Sequence, residues 1–130
     1  MNILSTVAYM AILTWASLLV ASLLGAHGWT PDGMKLAFGN RENMPERSAL
    51  AGRAERAARN TLENFVLFAA LALAEHAAGA TGDKVQQGVA IFFWARVVYI
   101  PVYYAGIPYV RTIVWAISIV GLVMIASALI

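Results

Sequence analysis

Arg56, Asn60, Glu63 and Arg96 are strongly polar residues set in or against sequence that is otherwise apolar enough for a bilayer. Each charge inside lipid costs roughly 2.5–3.5 kcal/mol on insertion scales. Chains keep such charges where they line a cavity or hold a ligand. Arg53, Arg56, Asn60 and Glu63 follow one another at spacings of three, four and three, which is one stripe of an α-helix. Arg96, Tyr99 and Tyr103 make a second stripe at spacings of three and four. A short turn after Pro101 brings Tyr104, Tyr109 and Arg111 to the same membrane surface. The two stripes together predict a pocket with several guanidiniums, two or more phenols and one carboxylate. Such a pocket suits an anionic ligand that also carries an ammonium group. Guanidiniums bind carboxylates through paired hydrogen bonds, and Glu63 takes the ammonium or orients a neighbouring arginine. A guanidinium or phenol beside a bound thiol would favour its thiolate, because nearby positive charge lowers a thiol's pKa.

Simpler roles exist for the same residues. Arg47, Arg53 and Arg59 satisfy the positive-inside rule or meet lipid phosphate. Arg59 lies well round the helix from Arg53 and faces phosphate or another subunit. Arg96 sits about eight residues from its helix end, where an inter-helix ion pair with Glu63 would satisfy it. Tyr99 and Tyr103 have the character of interfacial aromatics, as do Trp29, Trp94 and Trp115.

The elements that must position these groups are membrane helices. The chain has 130 residues, 61% hydrophobic and 12% charged, with no cysteine, and its mean hydropathy is +0.70. A soluble domain is about 25% charged. The predicted fold is all-α: an integral-membrane four-helix bundle with spans at about 3–24, 46–78, 83–104 and 108–129, forming a single domain over 1–130. The first run is uncharged and too long for a signal peptide's apolar core, so it reads as a retained helix. A polar linker rich in turn formers follows, up to Pro45, which is placed in the first turn of the second helix. That helix begins basic and alanine-rich and ends apolar. The hydrocarbon therefore starts near Asn60, with Glu63 inside it. Pro101 is expected to kink the third helix.

Lys35, Arg41, Arg47, Arg53, Arg56, Arg59 and Arg111 gather on one side, with Lys84 opposite. The first loop and third turn are therefore expected to be cytoplasmic and both termini outside. Absence of cysteine excludes a disulfide, a thiolate metal site and a protein thiol nucleophile. His27 and His76 fall at opposite faces and cannot share a haem iron within one subunit. No metal-binding spacing, phosphate loop or nucleophile triad is present. The basic cluster borders a membrane, so nucleic acid is not an expected partner.

The run Arg56-Ala-Ala-Arg59-Asn60-Thr-Leu-Glu63-Asn64-Phe65 resembles a signature of the MAPEG family, the membrane-associated proteins in eicosanoid and glutathione metabolism. Arg96-Val-Val-Tyr99-Ile-Pro-Val-Tyr103, followed by Arg111-Thr112, is similar to that family's motif at the third and fourth helices. The resemblance extends over the whole chain and is nearest the bacterial branch. It implies a homotrimer in a bacterial inner membrane, with glutathione as cosubstrate bound between subunits. Arg56, Asn60, Glu63, Arg96, Tyr99 and Tyr103 then look like glutathione ligands. Lys35 resembles an arginine found after the first helix, and Arg111 resembles the residue that activates the thiol, with Tyr103 beside it. Val66 follows Phe65 where the family often has proline.

The expected function is a glutathione-dependent transferase or peroxidase acting on lipophilic electrophiles or lipid hydroperoxides that arrive from the bilayer. The alternative is a non-catalytic membrane binding or scaffold protein on the same fold. A small multidrug-type transporter fits worse. Those resemble one another in a glutamate on the first helix, which here has no charge, and Glu63 lies beside arginines that repel cationic drugs.

Overall fold

The computed structural model describes residues 2–80 and 82–130. Among the described residues the chain is all-helical, with α1 (Ile3–Ala26), α2 (Pro31–Phe38), α3 (Ala49–Ala78), α4 (Asp83–Tyr104) and α5 (Pro108–Leu129). Three of them, α1, α4 and α5, are long and apolar enough to cross a membrane. α3 is the longest at 30 residues, but its basic first half keeps it outside that group.

Local chemistry sets the helix ends. The Asn2 side chain accepts hydrogen bonds from the Leu4 and Ser5 backbone N–H groups at the start of α1. The linker expected to be irregular contains α2. Thr30 caps it by accepting from the Gly33 N–H at 3.0 Å, Pro31 occupies the first turn and Asp32 complements the helix dipole. α3 begins at Ala49, later than expected, because Ser48 and not the Pro45 region supplies the cap, accepting from the Ala51 N–H at 3.0 Å. Gly79, at φ 73°, ends α3 in the left-handed conformation that glycine adopts without penalty. α4 runs on through Pro101 to Tyr104, since a proline so near the end costs few backbone bonds.

The bundle is two pairs of neighbours, α1 on α3 and α4 on α5, joined mainly by α3 against α4. Each long helix buries one stripe. On α1 it is Ile3, Thr6, Met10, Thr14 and Ser17. On α3 it begins with alanines (Ala51, Ala54, Ala57, Ala58) and ends with Phe68 and Ala72. At the apolar end the Phe68 and Phe92 rings stack with centroids 4.4 Å apart. α4 and α5 touch through Gly88 and Gly121. A Cβ on Gly88 would stand 2.8 Å from the Gly121 carbonyl oxygen, and one on Gly121 would stand 2.7 Å from that of Gly88. Small residues permitting such backbone approach are the usual means of packing helices where lipid removes the hydrophobic drive. This contact holds α5 close against α4.

Candidate functional site

Arg53, Arg56 and Asn60 of the α3 polar stripe meet α4 and α5 at the basic end of the bundle. Arg53 donates from Nε to the Tyr104 carbonyl oxygen at 3.0 Å, satisfying a helix-end acceptor of α4. Its side chain also lies against Gly106, whose φ of 75° forms the turn into α5. One turn further along α3, Arg56 donates from Nε to the Tyr103 hydroxyl at 3.2 Å. Gly52 leaves room for that guanidinium, because a Cβ there would lie 3.2 Å from Arg56 Nη1. Arg111 stacks on the ring of the same phenol, its guanidinium carbon 4.5 Å from the Tyr103 ring centroid. Tyr99 meets Tyr103 edge to face at 5.5 Å.

These groups border a cleft of about 280 Å³ lined by Asn60, Tyr99, Tyr103, Arg111, Thr112 and Trp115. Four residues singled out in the sequence (Asn60, Tyr99, Tyr103 and Arg111) share it, and Arg56 is held at its edge through Tyr103. Thr112 and Trp115 complete the wall. Trp115 has the aromatic character expected of the membrane boundary, but its place one turn after Arg111 on α5 turns it to the cleft.

Arg96 lies elsewhere. It is the largest fully buried side chain, beneath Tyr99, with its guanidinium carbon 4.0 Å from that ring's centroid. Nη2 donates to Thr61 Oγ1 at 2.9 Å, whereas Nε and Nη1 have no partner among the described residues. The alternative ion pair with Glu63 does not form: the ion pairs among the described residues are Arg47–Glu55 and Arg59–Glu55. Glu63 is exposed on the outer face of α3 near Val66 and Leu67, which are 59% and 54% exposed. Lys35 is exposed on α2 and does not line the cleft.

Sequence reasoning missed three polar residues of α3: Thr61, the buried acceptor for Arg96, and two others. Asn64 is buried and donates from Nδ2 to the Asn60 carbonyl oxygen at 2.9 Å. That bond steadies the turn carrying Asn60. Glu75 is fully buried near the far end, with both carboxylate oxygens unpartnered among the described residues. Its spacing from Phe68 and Ala72 places it on the inward stripe, and that helical phase was the available signal.

The arrangement offers cations held in fixed positions by phenols, a carboxylate on the outer face, and open space beside Arg111. Comparison with known proteins supplies a family: the MAPEG family model matches residues 2–130. Searches of curated proteins and of solved structures give no match.

Proposed function

The chain belongs to the MAPEG family, and on that premise we propose that it is a glutathione-dependent membrane enzyme of transferase or peroxidase type. The family includes such enzymes as well as non-catalytic members. The observation that carries the reading is the chain Arg56–Tyr103–Arg111, which aligns two guanidiniums through one phenol at an open cleft.

The residues fit an anionic thiol tripeptide. Arg56 and Asn60 would hold a glutathione carboxylate and amide, and Glu63 its ammonium. Tyr99 and Tyr103 form the floor, with Arg96 fixing Tyr99 from below. Arg111 would hold the sulfur as thiolate, helped by the Tyr103 hydroxyl. A bound thiolate would form a carbon–sulfur bond to a lipophilic electrophile, expelling its leaving group as the anion or adding to an activated double bond that then takes up a proton. Alternatively, two glutathiones would reduce a lipid hydroperoxide to alcohol and water and leave as the disulfide. The lipophilic partner would reach the cleft past the apolar surface of α5.

The same reading gives a four-span subunit, with α3 the fourth span, in a homotrimer. Support comes from Glu63. A carboxylate facing lipid at that depth costs roughly 2.5–3.5 kcal/mol, and a second copy of the chain covering this face would remove that cost. It would also supply the remaining ligands, Lys35 among them. The positive-inside rule supports an orientation with the basic end cytoplasmic, and the resemblance to the family's bacterial branch supports a bacterial inner membrane.

A second reading, a glutathione-binding or lipid-binding protein without turnover, is favoured by Arg96, whose burial removes one cation from the cleft. Arg111→Ala separates the two. For the enzyme, turnover of a model electrophile falls roughly 100-fold or more, as on loss of a transition-state donor. Glutathione affinity then changes little, as expected for an interaction made mainly in the transition state. Undetectable wild-type turnover with saturable glutathione binding would leave the second reading standing.

A further inference from the structure

A second cleft, of about 290 Å³, lies on the opposite side of α3, between α1 and the segment that joins α2 to α3. Its rim carries Arg41, Arg47, Arg59 and Glu55, and its wall includes Leu18 and Leu62. Glu55 is paired with Arg47 and, at 3.3 Å, with Arg59. Three guanidiniums against one carboxylate leave two positive charges uncompensated among the lining residues. Arg41 is held in place by its backbone and its own side chain. Its φ is 58°, a left-handed conformation uncommon for a residue with a Cβ, and its Nε donates to the Ala37 carbonyl oxygen at 3.0 Å. That bond leaves the terminal nitrogens of Arg41 available. Below the guanidiniums the wall is apolar, and Leu18 and Leu62 are each 40% exposed, so the cleft opens along the α1–α3 groove.

We propose that this cleft is a binding site for an anionic phospholipid. The headgroup phosphate would lie between Arg41 and Arg59, and one acyl chain would follow Leu18 and Leu62. The uncompensated charge favours an anionic headgroup over a zwitterionic one, whose ammonium it repels. The apolar wall favours a lipid over a soluble anion. Glu55 restrains the site by holding two of its three cations.

The test uses the full chain purified in detergent and titrated with phosphatidylglycerol or phosphatidylcholine of matched acyl chains, with bound lipid read by native mass spectrometry. Phosphatidylglycerol is retained about tenfold more strongly, and the Arg41→Ala/Arg59→Ala variant loses that preference. Glu55→Gln acts in the opposite direction, raising the preference by freeing Arg47 and Arg59. It therefore tests the site even if the double variant folds poorly. Glycerol phosphate in excess leaves the lipid bound. Equal retention of the two lipids by wild type, or a preference unmoved by Glu55→Gln, overturns the proposal. Displacement by glycerol phosphate also overturns it, because the ligand would then be a soluble anion.

Discussion

The two clefts lie on opposite faces of α3 and hold their cations in different ways. Around the α3–α4–α5 cleft, which Arg111 lines, the neighbouring cations rest on aromatic or backbone partners. Arg56 bonds the Tyr103 hydroxyl, Arg111 stacks on the Tyr103 ring, Arg96 backs Tyr99, and Arg53 pins the turn between α4 and α5. In the α1–α3 cleft two of the three cations share one carboxylate, and those two side chains, Arg47 and Arg59, are 55% and 68% exposed. Groups locked by buried neighbours can stabilise developing charge without reorganising. Exposed, mutually balanced charges attract a counter-ion but adjust to it. The contrast teaches that arginine content alone does not mark a reactive site. What the guanidiniums rest on does.

Removing what the first cleft rests on should give the largest effect. Arg96→Ala leaves a void beneath Tyr99 and is expected to cost roughly 2–4 kcal/mol of stability, read as a lower thermal midpoint in detergent. An unchanged midpoint would show that the buried guanidinium does not support the cleft. Tyr103→Phe is milder. It removes the acceptor for Arg56 Nε but keeps the ring under Arg111, so about 1 kcal/mol, or roughly fivefold in glutathione affinity, should be lost by calorimetry. The smallest effect belongs to the second cleft. Arg47→Ala breaks an exposed ion pair and should shift stability by less than about 1 kcal/mol. A large loss there would put the two clefts in the same class and end the comparison.

Much of this was legible in the residues, for physical reasons that also explain what was not. Apolar runs longer than a soluble core needs pointed to the long helices, and the spacing of Arg56, Asn60 and Glu63 fixed their common stripe, since helical phase is a property of the chain itself. α2 was missed because eight residues make only about two turns, although Thr30-Pro31-Asp32 is a helix-start pattern. The depth of Arg96 was not legible either. It depends on how closely α3 approaches α4, and its partner Thr61 is a small residue with no pattern of its own. Tyr103 as the hinge between Arg56 and Arg111 likewise arises only when the turn through Gly106 brings the start of α5 back beside the end of α4. Glu75 was overlooked inside an apolar run, where a single carboxylate reads as a helix end rather than a core residue.

The measurement that bears most directly on the central claim is calorimetric titration of glutathione into the purified, detergent-solubilised protein, with Arg56→Ala and Glu63→Ala in parallel. Saturable binding to wild type, weakened about tenfold or more in both variants as expected for lost charge-assisted contacts, is the predicted result. No binding to well-folded wild type, or binding unaltered in both variants, would contradict it.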